Sequence, residues 1–268
     1  MLKDITIGQY FPKDTFVHRL DPRIKILIVA MFIISLFFID TFYPYILILA
    51  FILVSIKLSE IPVKYVFKGL KPLMPIIIIT FVINTLFTKG EVLLALGPIT
   101  ITKEGLSQAT FMALRLIFLI TGTSLLTLTT SPISLTDGIE KLLSPFRKVG
   151  LPAHELAMMM TIALRFIPTL LEETDKIMKA QMARGADFES GNIMNRAKNL
   201  VPLLVPLFIN AFRRADELAN AMEARCYRGG ENRTRLNELK LKPNDILAIS
   251  ICAIFFGFIM STKYISYI

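Results

Sequence analysis

Between Ser131 and Lys242 the chain carries 17 of its 30 lysines and arginines and 13 of its 21 aspartates and glutamates, too much charge to be threaded through a bilayer. The flanking sequence has the opposite character, with long apolar runs and few charges. These runs raise the hydrophobic share of the 268 residues to 54% and the mean hydropathy to +0.59, more apolar than an ordinary soluble domain. The two halves together define an all-α membrane protein that carries a large polar domain.

The spans follow from where the apolar runs begin and end. Asp21-Pro22 opens the first: proline pre-sets φ for the first helical turn, and the aspartate before it accepts from unpaired backbone N–H groups. This run, about 24–39, is short for a hydrocarbon layer of ~30 Å, but suffices if the Arg23 and Lys25 stems snorkel. The expected spans are about 24–39, 45–57, 72–88 and 106–130 in an N-terminal membrane domain, 1–130, with a fifth in 244–268. Residues 88–102, with Gly90, Gly97 and Pro98, read as a loop or weak hairpin. The fourth span holds Thr121-Gly122-Thr123-Ser124, small residues that allow close helix contact in lipid. It also holds Arg115, an intramembrane candidate for function whose plainer reading is an arginine snorkelling near one face.

Basic residues set the expected orientation. Residues 1–25 carry 5, 57–71 carry 4 and 131–243 carry 17, whereas 39–44 carry none, 88–105 carry 2 and the tail 1. Five spans with the N-terminus inside and the C-terminus outside obey the positive-inside rule at every loop, so the 131–243 domain is expected in the cytoplasm of a prokaryotic cell. The same bias accounts for the net charge of +9. No basic stripe with interleaved aromatics points to nucleic acid. Cys226 and Cys252 form no disulfide framework or CxxC pair, and His18 and His154 lie in unrelated segments, so neither a metal site nor a catalytic histidine is expected. The first twenty residues show no pattern of a cleavable signal peptide.

Two long amphipathic helices are expected in the polar domain, about 153–184 and 193–227. Ser134-x-x-Asp137 should open a shorter helix before them, and Pro168, Pro202 and Pro206 should bend the long ones. Their ends repeat. The segment from Asp175 to Ala183-Arg184-Gly185 aligns without a gap on the segment from Asp216 to Ala224-Arg225-Cys226, 41 positions later. Ala183 and Ala224 let a foreign surface approach the backbone, and Arg184 and Arg225 offer planar forks suited to a carboxylate. One such arginine would merely complement a helix dipole; two in matching contexts indicate a docking knob made twice. Cys226, where glycine would be expected, disfavours a left-handed stop, so the second helix is expected to run on to Gly229.

The Ala-Arg-Gly signature on paired helices, the Leu20-Asp21-Pro22-Arg23-Ile24-Lys25 start, and the order of four spans, polar domain and final span resemble the transmembrane T component of energy-coupling factor transporters over essentially the whole chain. The resemblance implies a coupling domain that docks two ABC-type ATPases, as a homo- or heterodimer, and a membrane S component that captures vitamins or metal ions. It maps the two docking motifs onto Ala183-Arg184-Gly185 and Ala224-Arg225-Cys226. No Walker-type glycine loop is present, so ATP and magnesium are expected on the partners and no cofactor in this chain. A single chain serving two ATPases needs two knobs, which the repeat independently supplies. A T component dedicated to cobalt or nickel is the alternative within the family. A membrane enzyme lacks a clustered polar constellation, and a solo transporter lacks inverted repeats and has only Asn84, Arg115 and scattered Thr and Ser to line a path.

Overall fold

A computed structural model describes residues 10–39, 41–96, 99–186, 188, 193–229 and 239–265. Ten α-helices lie among the described residues: α1 (Phe16–Arg19), α2 (Pro22–Phe37), α3 (Tyr43–Ser59), α4 (Val63–Leu70), α5 (Met74–Phe87), α6 (Lys103–Thr129), α7 (Pro132–Leu143), α8 (Ala153–Ala183), α9 (Ile193–Ala224) and α10 (Pro243–Ile265). An antiparallel hairpin, β1 (Val92–Leu96) and β2 (Ile99–Thr102), joins α5 to α6 as expected for that loop. The described residues form two compact units, one within 10–138 together with 239–265, the other within 139–229.

The first unit holds the membrane core. Phe32, Leu36, Tyr45, Ile48, Ile52, Phe118, Phe256 and Ile259 are buried together from α2, α3, α6 and α10. Ring packing supplies much of the contact: Phe51 stacks on Phe255 at 5.5 Å and meets Phe256 edge-on at 5.0 Å. At Gly122 the Phe32 ring of α2 packs directly onto α6, since a Cβ there would stand 2.3 Å from it. That is the use expected for the small residues of this span.

Some boundaries differ from the sequence reading. A 3₁₀ turn, Lys71–Leu73, joins α4 to α5, so the third apolar helix runs from Val63 to Phe87 rather than starting near 72. Among the described residues four helical stretches are long and apolar enough to cross a bilayer: Val63–Phe87, Lys103–Thr129, Ala153–Ala183 and Pro243–Thr262. The third belongs to α8, where only Glu155 and Arg165 carry charge before Leu171 and five charged residues follow it. α2 and α3 have 16 and 17 residues, about 24–26 Å each. The expected cap at Ser134 is corrected: Ser131 accepts from the Ser134 N–H at 3.2 Å, with Pro132 in the first helical position.

In the second unit α8 and α9 run antiparallel. Glu173 lies opposite Asn210, and Gln181, eight residues on, lies opposite Pro202, eight residues back. Along α9 the covered face does not follow the leucines alone. Leu200 and Leu204 are exposed, whereas Leu203 is buried and Leu207, Asn210, Ala211, Arg214 and Leu218 are half-covered. The inward line contains two polar residues, which an apolar periodicity passes over.

Candidate functional site

The two helix ends are built alike to the level of single hydrogen bonds. At the end of α8 the Arg184 N–H donates to Gln181 O (3.0 Å), Gly185 N–H to Met182 O (2.9 Å) and Ala186 N–H to Gln181 O (3.0 Å). At the end of α9 the Arg225 N–H donates to Met222 O (3.2 Å), Cys226 N–H to Glu223 O (2.8 Å) and Tyr227 N–H to Met222 O (3.0 Å). Each bond of one set lies 41 positions from its counterpart. This is the crossed pair of bonds by which a left-handed residue after a helix satisfies the last carbonyls. Gly185 has φ 91° and Cys226 φ 56°. The expected run-on to Gly229 is therefore corrected, because α9 ends at Ala224. The crossed bonds, not the residue type, decide the stop, and they outweigh the cost of a left-handed cysteine.

Ala183, Arg184, Gly185, Ala224, Arg225 and Cys226 are all exposed. Among the described residues neither guanidinium has a side-chain partner, so both forks stand unoccupied at the tips of rigid helices. The antiparallel register sets their spacing. From the Glu173–Asn210 contact, Arg184 is 11 residues along α8 and Arg225 is 15 along α9 in the opposite direction. No proline interrupts either stretch, so the tips lie up to about 40 Å apart. Glu173 fixes this register, accepting from Asn210 Nδ2 at 2.7 Å and pairing with Arg214 Nη2 at 3.0 Å.

The helix-start residues are drawn together elsewhere, in the first unit. Asp21 accepts from the Arg23 N–H at 2.9 Å and from its guanidinium at 3.0 and 2.7 Å. Burial works against the Asp21 carboxylate, but the hydrogen bonds from Arg23 outweigh it and hold its pKa below the ordinary carboxylate value. Lys25 Nζ donates to His18 O, Thr129 O and Thr130 Oγ1 at 3.1, 2.9 and 3.3 Å, satisfying all three of its protons. The residue that sequence reasoning missed is Asp245. Its buried carboxylate accepts from the Asp21 N–H and the Lys242 N–H, both at 2.8 Å, fastening the start of α10 to the start of α2. Lys242-Pro243-Asn244-Asp245, with proline in the first turn and an acid at the third helical position, was the available signal. Pro22 occupies the first position of α2.

Arg115 stands apart from both groups. Its Nη2 donates to Ile39 O at 3.0 Å beyond the end of α2, and its guanidinium lies 5.6 Å from the Phe37 ring centre. That places the charge level with the end of α2. The two histidines are likewise separate: His18 contacts Thr15 and Phe11 O, and His154 contacts Glu140.

Residues 13–236 match the sequence profile of the CbiQ family, described as cobalt transport protein. Proteins named energy-coupling factor transporter transmembrane protein EcfT are similar over nearly the whole chain. That of Thermosediminibacter oceani is 66% identical over 92% of this chain and 93% of its own, and that of Clostridium kluyveri 63% identical over 95% and 94%. That of Bacillus subtilis is 49% identical over 93% of this chain and 94% of its own.

Proposed function

The chain belongs to the CbiQ family of transmembrane components of energy-coupling factor transporters, and from that premise we propose that it couples ATP hydrolysis by two ABC-type ATPases to the uptake of a vitamin held by a membrane S component. The observation that carries this reading is the identical finish of α8 and α9 at opposite ends of one antiparallel pair. Two partners of the same shape, side by side under the membrane, each receive one exposed arginine and one tight turn. The chain itself supplies no nucleotide site and no chemistry; it transmits motion, with ATP and magnesium on the ATPases.

In this reading residues 131–243 lie in the cytoplasm, with the N-terminus inside and the C-terminus outside. α8 is assigned to that domain although its first half is largely apolar, because Glu155 and Arg165 interrupt that half and Glu172, Glu173, Asp175, Lys176 and Lys179 follow it. The alternative, a T component dedicated to cobalt or nickel, is favoured by the description of the family profile. The relatives that match over nearly the whole chain are named for the energy-coupling factor transporter, and their names specify no metal.

The test is co-purification of the ATPases with the double variant Arg184→Glu and Arg225→Glu, alongside substrate uptake by the same cells. Stranding a charge in each docking groove costs about 2–5 kcal/mol per site, so ATPase association and uptake should both be lost while the subunit stays in the membrane. Full retention of both would reduce the arginines to helix-dipole partners.

A further inference from the structure

The docking motifs leave Arg115 unused, and its surroundings are those of a ligand site. Beside it lies a recess of about 520 Å³, lined along one face of α6 by Lys103, Ser107, Gln108, Phe111 and Met112, with Ile39 opposite. Lys103, Ser107 and Arg115 lie on one face of α6 at multiples of four residues, so a polar stripe interrupted by Phe111 climbs from the first turn of the helix to the guanidinium. In an apolar span such a stripe is costly unless something polar covers it.

Of the five guanidinium N–H groups, only one on Nη2 has a partner among the described residues, the Ile39 carbonyl. Nε is enclosed without a partner and Nη1 has none among the described residues. A carbonyl and an aromatic face satisfy part of the cation's field, and no carboxylate among the described residues pairs with it. Glu104 also lines the recess, where its Oε2 accepts from the Glu91 N–H at 2.7 Å. Lys103 has no carboxylate partner among the described residues. The lining thus holds two cations, a hydroxyl and an amide against one carboxylate, an excess of positive charge.

We propose that this recess binds a phosphate-class anion, presented by an anionic lipid headgroup or as free inorganic phosphate. Arg115 supplies the planar fork, Lys103 a second charge at the mouth, and Ser107 and Gln108 further donors. The guanidinium is level with the end of α2, at the depth where headgroups meet a helix of 16 residues. Phe111 and Met112 provide an apolar floor on which the first part of an acyl chain can lie.

The experiment uses the full chain reconstituted in phosphatidylcholine vesicles with or without phosphatidylglycerol, with retained lipid counted by native mass spectrometry. Binding of inorganic phosphate to the detergent-solubilised chain is followed by calorimetry in parallel. Retention of phosphatidylglycerol that falls about tenfold in Arg115→Gln, and to an intermediate level in Arg115→Lys, assigns the lipid source. Calorimetric phosphate binding lost in the same variants assigns the free ion. Lys103→Gln, in an exposed first turn, guards against a folding defect and should lower retention about threefold. Equal retention by wild type, Arg115→Gln and Lys103→Gln, with no phosphate binding, overturns the proposal and leaves Arg115 as a cap on the chain beyond α2.

Discussion

Cys226 takes the left-handed backbone conformation that Gly185 takes 41 positions earlier, at φ 56° against 91°, and each is followed by a residue whose N–H returns to the same carbonyl of its own helix. A Cβ in this region costs about 1 kcal/mol relative to glycine. Cys226→Gly should therefore stabilise the end of α9 by up to about 1 kcal/mol, and Cys226→Val should weaken it by more. Amide hydrogen exchange of the α9 C-terminal turn reads both. Slower exchange in the valine variant than in the wild type would mean that the strain is not felt there.

The forks of Arg184 and Arg225 also predict an unequal response to charge-preserving substitution. Arg→Lys keeps the cation but loses the paired, planar donors, so each single change should lower uptake several-fold rather than leave it intact. The α9 site should suffer at least as much as the α8 site, because its turn already carries the left-handed cysteine. Uptake at wild-type level in both lysine variants would show that only net charge matters at these ends.

Glu173 joins two residues of α9 one helical turn apart, Asn210 and Arg214, and is the polar link nearest the middle of the helix pair. Its side chain and that of Arg214 are mostly but not fully covered, so the pair should contribute on the order of 1 kcal/mol. Glu173→Leu strands Arg214 and should lower the thermal midpoint, whereas Glu173→Leu with Arg214→Leu should recover most of the loss. Additive losses in the double variant would mean the two residues act separately.

Much of this arrangement was legible before any coordinates. Asp21-Pro22 announced the start of α2, the small residues at 121–124 announced a close crossing, and the duplicated Ala-Arg announced two matching ends. What was not legible depended on partners distant in sequence. Asp245 looks like an ordinary first-turn acid until its carboxylate is seen to take the Asp21 N–H, 224 residues away. The inward line of α9 is hidden from an apolar periodicity because Asn210 and Arg214 lie on it, held by Glu173. The stop at Cys226 is hidden because intrinsic preference alone omits the two hydrogen bonds that close the turn there. At Ser131 a local signal exists: a serine directly before a proline is a stronger helix start than a Ser-x-x-Asp pattern three residues on.

The fastening of α1 to the start of α2 predicts a pH dependence. The ring contacts of His18 suit the neutral form: Thr15 Oγ lies 2.7 Å from Nδ1, where its hydroxyl can donate, and Nε2 lies 3.1 Å from Phe11 O, where its N–H can donate. Burial pushes the His18 pKa below its ordinary value of 6.5, against the opposing pull of the Phe11 carbonyl, with Lys25 and Lys13 adding to the depression and Asp14 opposing it. The folded chain thus binds fewer protons at His18 than the unfolded chain does, and the associated stability is fully present above the ordinary value and lost as pH falls through the folded one. Asp21 acts in the same direction at lower pH, since its depressed pKa gives stability that is present above the ordinary value of 3.8 and lost as pH falls through the folded value. The thermal midpoint of the detergent-solubilised chain should therefore drop between about pH 7.5 and pH 5.5 through His18, and fall again below about pH 4 through Asp21. His18→Gln retains a donor for Phe11 O without a titrating group, so it should flatten the first drop and leave the second. An unchanged slope between the two higher pH values in that variant would remove His18 from the account.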